Sequence, residues 1–407
     1  MAIEKLFQEL EKIRDWQENA YKYLHSNPEL SMQEIETISY LRDTLEELGY
    51  QCQEIGGGLV TVLENGPGKR VLFRADIDAL PVKEETELDY ASSKMMQDLD
   101  GNQVPVMHAC GHDMHMAAAL GLAHLMINHQ ELWQGTFLLL FQPGEETASG
   151  AQAMLDNGLM SKIPKPDLAL AQHVLAQPQA GKVGIMSGPF LSSAASVKLV
   201  IKGKGAHGSM PHLSIDPIVI ASSIVLKLQT IVAREVDPFK FAVVTVGSIQ
   251  SGLKANIIPD QATLLLNIRA YDDAVLNQLL ASIERIAKAE NQAGNGQEEP
   301  EITVYDRFPV TDNNQQLAKE VKEAFIKHLG AENVVDYQAM TASEDFSYIP
   351  RAFDIPYLYW GFGAFTSDQK IYANHNPHFA PSLQPTLKTG SQAALVAVLH
   401  YLGIKKQ

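Results

Sequence analysis

Residues 114–146 read MHMAAALGLAHLMINHQELWQGTFLLLFQPGEE, a helix followed by a strand that stops at an acidic turn. The helix is expected over 114–128 and the strand TFLLLFQ over 136–142. A further helix is expected around 149–157, and a further strand, LALAQH, at 168–173. Strands alternating with helices predict a largely parallel sheet. Upstream, LFQELEKIRDWQENAYKYLHS and EIETISYLRDTLEELG carry apolar residues at helical spacing, the second stopping at Gly49. LVTVLE (59–64) and RVLFRAD (70–76) are short β-rich runs, and Asn65-Gly66-Pro67-Gly68 between them has the composition of a hairpin turn.

The apolar strands end in ionisable residues: Asp76 and Asp78, then Glu145 and Glu146 after Gln142-Pro143-Gly144, then His173. Ligands bind open α/β sheets beyond the carboxyl ends of the strands, so these residues are expected in one cleft.

From about residue 190 the pattern changes. SVKLVIKG (196–203), FAVVTVGSI (241–249), ATLLLNIRA (262–270) and EITVYDRF (301–308) read as strands, with helices at 217–232 and 273–292. That β-α-β-β-α-β order is ferredoxin-like and predicts an inserted α+β lid or dimerisation domain over 190–305. NQAGNGQEEP (291–300) is a loop inside it. A helix at 313–330, a strand at 355–363 and a closing helix at 383–403 return to the first domain, so residues 1–189 and 306–407 form the catalytic part. There is no internal repeat and no low-complexity segment. The expected fold class is α/β: a mixed, largely parallel sheet with flanking helices, plus the inserted domain.

At 407 residues the chain exceeds what one core usually organises, which favours two domains, with three as the alternative. The formal net charge of −16 argues against nucleic acid or an anionic membrane surface as partner. The N-terminus, MAIEKLFQELEKIRDW, reads as a charged amphipathic helix rather than a secretory leader. Apolar runs such as FLLLF at 137–141 fall far short of the roughly 20 residues that span a bilayer. A cytoplasmic location follows as the expectation, and a disulfide between the two cysteines, Cys52 and Cys110, is not expected there.

Met107-His108-Ala109-Cys110-Gly111-His112-Asp113-Met114-His115 packs a thiol, three imidazoles and a carboxylate in front of a helix. Three readings fit that composition: a metal site, a helix start with a buried structural cysteine, or a Cys-His nucleophile. Only the metal reading also accounts for the carboxylates and His173 at the other strand ends. A thiolate on a divalent cation is deprotonated at neutral pH, and an imidazole beside it suits a zinc-like ion. Gln142-Pro143-Gly144-Glu145-Glu146 is either a solvated acidic loop or a turn that aims one carboxylate at a metal and its neighbour at a water; its place at a strand end favours the second.

MHACGHDMH, PGEE, RADIDALP (74–81), HSNPELS (25–31), GKGAHGSMPH (203–212), ANIIPD (255–260) and SEDFSYI (343–349) together resemble the aminoacylase and amidohydrolase branch of the di-metal (zinc) exopeptidase superfamily. That branch holds N-acyl-L-amino acid amidohydrolases, hippurate hydrolases, N-acetyl-diaminopimelate deacetylases and auxin-conjugate hydrolases. The resemblance covers nearly the whole chain with the motifs in the branch's order. It implies two divalent metal ions per subunit, Zn2+ first, with Mn2+, Co2+ or Ni2+ as alternatives. Cys110 is then the shared ligand, with His112, Glu146, His173 and His375 as the others. His112 pairs with His173 on one ion and Glu146 with His375 on the other; His378 competes with His375 because both stand in His375-Asn376-Pro377-His378-Phe379.

The resemblance further implies that Glu145 is the general base for a water activated by two cations about 3.5–4 Å apart. Asp78 is a site-orienting aspartate, the alternative being a surface-strand residue. His207, in a loop of the smaller domain, is implied to stabilise the oxyanion, often across a dimer interface. Asn256 and Arg269 are placed on the substrate carboxylate, although Arg269 also reads as an exposed strand residue. His25, Glu29 and Glu344 match motifs without a clear role: the first two can cap and pack the N-terminal helices, and Glu344 is expected to line the cleft. His108, His115, His124, His129 and His328 stay unassigned, with His115 able to orient the site or merely to pack.

The expected activity is metal-dependent hydrolysis of the amide bond of a small N-acyl amino acid, releasing carboxylate and free amino acid. A dipeptidase or carboxypeptidase on the same metals is the near alternative. A non-catalytic metal- or ligand-binding protein is the distant one, and Glu145 argues against it. A homodimer through the 190–305 domain is a further expectation.

Overall fold

The computed structural model of the chain describes residues 2–405, and the backbone divides into two compact units. The larger runs up to Phe190 and adds Asp312–Gln338 and the chain from Asp345. The smaller comprises Leu191–Thr311 and Ala339–Glu344.

The larger unit is built on a nine-stranded sheet. Its main strands are β1 (Cys52–Ile55), β2 (Gly58–Asn65), β3 (Arg70–Asp76), β4 (Trp133–Gln142), β5 (Leu168–Leu175), β6 (Val183–Ile185), β7 (Val334–Asp336) and β8 (Tyr357–Gly363). They lie in the order β1-β2-β4-β3-β5-β8-β6-β7, and the central four, β4, β3, β5 and β8, are parallel. Strands buried on both faces read as continuous apolar runs, which is why FLLLF and LALA dominate β4 and β5.

One expectation fails here. Asn65–Gly68 is not a hairpin turn, because β4 inserts between β2 and β3 and pairs antiparallel with one and parallel with the other. The turn must therefore reach across a strand, and its ends are tied to the start of β4. Asn65 Nδ2 donates to the carbonyls of Gln130 and Trp133, and Thr136 N donates to that of Lys69.

The N-terminal segment forms two helices, α1 (Ala2–Lys12) and α2 (Arg14–Ser26), broken at Ile13. Helix α3 (Ile35–Glu47) begins under the Glu29 carboxylate, which accepts from Glu36 N at 3.2 Å and Thr37 N at 2.8 Å. A negative charge on free N–H groups at a helix start is stabilising, so Glu29 is a structural cap. Helix α4 (His112–Asn128) is buried along nearly its whole circumference, as a helix that is apolar all round must be.

In the smaller unit, strands Ser193–Lys202, Ala242–Ser251, Gln261–Ala270 and Glu301–Phe308 form an antiparallel sheet in the order second, third, first, fourth. Helices Pro217–Thr230 and Asp273–Ala293, N-capped by Asp216 and Asp272, share a core with it around Val197, Leu199, Leu264, Leu266, Ile224 and Leu279. The unit ends beyond the expected residue 305, because its last strand continues to Phe308, opposite Ala194. Among the described residues one helix, Pro217–Glu235, is long and apolar enough to cross a membrane by length and composition. Its inner residues Ile220, Ile224 and Leu228 belong to this core, while Val219 and Leu226 stay exposed.

Candidate metal centre

Chain order and spatial order diverge at β3. The next strand in sequence, β4, lies on one side of it and the following one, β5, on the other. Such a switch point opens a crevice at the carboxyl ends. Asp76 closes β3, Glu145 and Glu146 follow β4, His173 stands near the end of β5, and His375 lies in the loop after β8. Cys110 and His112 enter from the start of α4. Between them, Gly111 sits at φ +87°, and a Cβ there would meet Val174 Cγ1 at 2.4 Å, so only glycine lets both ligand-type residues face the crevice.

The side chains converge. Ligand-type atoms of Cys110, Glu146 and His375 lie within 4.8 Å of one another, as do those of His112, Glu145 and Glu146, and those of Asp76, His112, His115 and His173. Cys110 Sγ is 3.4 Å from His173 Nε2, and His375 Nε2 is 3.3 Å from Glu146 Oε1. His378 turns away, its Nδ1 donating to the Glu85 carbonyl at 2.5 Å. His375 is thus the histidine of that pair gathered with Cys110, and it adopts φ +69°, a left-handed conformation that costs a non-glycine residue on the order of 1–3 kcal/mol. Its N–H donates to the Ala109 carbonyl at 2.8 Å, which holds it there.

Carbonyl partners make Nδ1 the donor on two histidines, since a carbonyl only accepts. His112 Nδ1 donates to the Asp78 carbonyl at 2.8 Å and His173 Nδ1 to the Val174 carbonyl at 2.7 Å. Both Nε2 atoms are turned to the crevice. His112 Nε2 is buried with no hydrogen-bond partner, a cost that a cation bound there removes. The local field agrees. Burial opposes charge on His112, but Asp76, Asp78 and Glu146 outweigh it and hold its pKa at about 10. Burial, with Glu146 and Glu145, pushes the Cys110 thiol well up, and burial with the neighbouring His115 drives His173 well down. A pocket that keeps a proton on a buried imidazole, beside a thiol that cannot ionise unaided, is one that lacks positive charge. The residues present fit a cation.

Asp78 is no surface residue. It is buried, and its Oδ2 accepts from Ser31 Oγ at 2.7 Å and Glu146 N at 2.9 Å while its Oδ1 stands 3.2 Å from His112 Nδ1. It therefore links a ligand-type histidine to the turn that carries Glu145. Glu34 grips the same turn, accepting from Gly144 N at 2.8 Å; burial and the nearby Asp78 lift its carboxyl to about 8.

His25 is buried between two carboxylates, with Nδ1 2.6 Å from Asp113 and Nε2 2.9 Å from Glu84. Burial lowers its pKa, yet the two carboxylates prevail and raise it from 6.5 to about 9. A group whose folded pKa is raised contributes stability that is complete below about 6.5 and disappears as pH climbs through about 9. The parent's urea midpoint is thus expected to fall relative to that of His25→Gln between about pH 6.5 and about pH 9, and parallel curves would refute the assignment.

In the smaller unit, His207 is exposed on a two-stranded ribbon, paired with Ile257 beside Asn256. Its Nδ1 accepts from Ser209 N at 3.2 Å, so Nε2 carries the proton. Arg269 is half-buried; its Nε donates to Asn267 Oδ1 at 3.1 Å and its Nη1 to the Thr341 carbonyl and to Ser343 Oγ. Glu344 is buried in this unit. Asp345, in the larger unit, accepts from Gln142 Nε2 at 2.5 Å and Ala151 N at 3.0 Å.

A buried thiol, imidazoles and carboxylates gathered at the switch point of a parallel sheet define a metal-binding hydrolase. Comparison with known proteins makes this specific: the model for peptidase family M20/M25/M40 matches residues 72–399, and the chain belongs to that family. It is 35% identical to thermostable carboxypeptidase 2 of Saccharolobus solfataricus, over 97% of this chain and 98% of that one. It is also 35% identical to N-acetyl-L-cysteine deacetylase of Bacillus subtilis, over 82% and 78% of the two chains. Among solved structures, a dinuclear metal-binding peptidase of family M20 from Bacillus subtilis superposes with a TM-score of 0.77 at 28% identity, covering 96% of this chain and 99% of that one.

Proposed function

We propose that the protein hydrolyses the amide bond of small N-acyl amino acids, releasing a carboxylate and a free amino acid, with two divalent cations held by Cys110, His112, Glu146, His173 and His375. The observation that carries this is Glu145, a nearly buried carboxylate whose Oε2 stands 3.9 Å from the unpartnered Nε2 of His112. A site that only stored cations has no need of it. His112 and His173 would hold one ion and Glu146 and His375 the other. Cys110 would serve both, since its sulfur lies by His173 and within the Glu146 and His375 group. A thiolate with imidazoles suits Zn2+ best, and the carboxylates also accommodate Mn2+, Co2+ or Ni2+.

When bound, the cations supply Lewis acidity that polarises the amide carbonyl and lowers the pKa of a water. Glu145 accepts the proton of the attacking water and passes it to the departing amine. Asp78 holds the His112 ring and, through Glu146 N, the turn bearing Glu145. His207 offers an outward Nε2–H to the developing oxyanion, Arg269 keeps Nη2 for the substrate carboxylate, and Asn256 adds a polar contact beside His207.

The name of the Saccharolobus relative favours a second reading, a carboxypeptidase on the same residues. Assaying acetyl-, benzoyl- and aminoacyl-amino acids side by side decides between them. A kcat/KM for acyl substrates at least about 10-fold above that for dipeptides is expected, and the reverse order would replace the first reading by the second. The smaller unit is proposed to pair with a second copy, in support of which Val219, Leu226, Phe239 and Leu253 are exposed there. Sedimentation under assay conditions is expected to return a dimer; a monomer would refute it.

A further inference from the structure

Hydrogen bonds from three ligand-type segments meet at the backbone N–H and C=O of one residue, Val174, which is not itself a ligand. The Val174 N–H donates to His115 Nε2 at 2.7 Å. An amide nitrogen only donates, so His115 Nε2 carries the lone pair and Nδ1 carries the proton, which it gives to Asp76 Oδ1 at 2.5 Å. Asp76 is held from its other oxygen by Arg74 Nη1 at 2.7 Å. Both nitrogens of His115 are thus spent on the protein. Although it lies within ligand distance of His112 and His173, it has no electron pair to offer a cation.

In the next peptide, the Val174 carbonyl accepts two donors. One is His173 Nδ1 at 2.7 Å, which leaves His173 Nε2 facing Cys110 Sγ. The other is Asn374 Nδ2 at 3.1 Å, and that same amide nitrogen also donates to the Cys110 carbonyl at 3.1 Å. Asn374 immediately precedes His375. A single side-chain amide therefore ties together the segments that carry Cys110, His173 and His375, and His115 fixes the adjoining His173–Val174 peptide.

We propose that His115 and Asn374 are positioning residues of the metal centre, holding the backbone N–H and C=O of Val174 so that Cys110, His173 and His375 keep one mutual geometry. The proposal rests on the reading of those residues as ligands given above. Partners of this kind behind ligands typically change metal affinity by about 10–100-fold when lost.

Metal binding and ligand geometry test it without any substrate. The parent, Asn374→Ala, Asn374→Asp and His115→Phe, each confirmed folded by circular dichroism and thermal melt, would be loaded with Co2+. Their visible absorption would be recorded, and affinity measured by competition with a chromophoric chelator. Both Asn374 variants are expected to bind Co2+ about 10–100-fold more weakly with shifted, weakened ligand-field bands, and in turnover to lose kcat with KM nearly unchanged. Asn374 is only partly buried, so its variants keep the test available even where the fully buried His115→Phe fails to fold. Parental affinity and an unchanged cobalt spectrum in folded Asn374→Ala and Asn374→Asp would overturn the proposal. A parent that takes up no Co2+ would instead overturn the metal centre itself, and this assignment with it.

Discussion

Glu145→Gln is expected to lower kcat by roughly 10²–10⁴-fold, the range a positioned general base contributes, while metal content stays at the parental level. The amide has the shape of the carboxyl but cannot take a proton from water at neutral pH. The substitution leaves the turn intact, because Gly144 N is held by Glu34 and Glu146 N by Asp78. It also leaves Cys110, Glu146 and His375 gathered as before. Elemental analysis of the purified variant and a steady-state assay on an acyl amino acid separate the two effects. Retained turnover with both metals present would remove Glu145 from the mechanism; loss of metal together with turnover would make it a ligand instead.

How far the sequence discloses this site depends on how local its signals are. The Cys110-Gly111-His112 cluster and the Glu145-Glu146 turn are legible because several chemistry-bearing residues fall within a few positions at strand or helix ends. His375 is legible only from its motif, since the loop after β8 has no periodicity to place it. Asn374 and Glu34 are not legible, and for Asp76 and His115 a place in the cleft and an orienting alternative can be read but not their pairing, because these roles depend on carbonyls, amides and charges contributed by distant segments. Asn374 is significant only where the carbonyls of Cys110 and Val174 stand, and no pattern of residue types reports that. The same limit governs the fold. Long apolar strands announce themselves, but Asn65–Gly68 has turn composition whether its strands are neighbours or are separated by β4, and only the sheet order decides. Strands of three residues, such as Val183–Ile185 and Val334–Asp336, exist because their neighbours pair with them rather than through any preference strong enough to read alone.

Exhaustive dialysis against a chelator is expected to reduce turnover by at least about 10²-fold, because Lewis-acid stabilisation of several kcal/mol is lost at about 1.4 kcal/mol per factor of ten. Zn2+, Mn2+ or Co2+ should restore it. The alternative of a Cys110 nucleophile predicts indifference to chelation, and the surroundings of Cys110 already oppose it. A nucleophilic cysteine needs a depressed pKa, whereas burial and the Glu146 and Glu145 carboxylates drive this thiol well up. Only a cation counters that field, and a thiolate stabilised in this way is a ligand rather than an attacking group. The pH dependence of extraction is fixed by the same groups. Without a cation His112 takes up a proton, which Asp76 and Asp78 hold up to about pH 10, and Cys110 keeps its own. Metal uptake must therefore release protons, so affinity should rise with pH and the chelator should strip the protein most readily at the acid end of its stable range. Full activity after complete metal removal, with abolition by thiol alkylation, would reverse the assignment of Cys110. Inactivation by chelator with recovery on adding back the ion leaves the thiol where the structure puts it, buried at 3.4 Å from His173 Nε2 and gathered with Glu146 and His375.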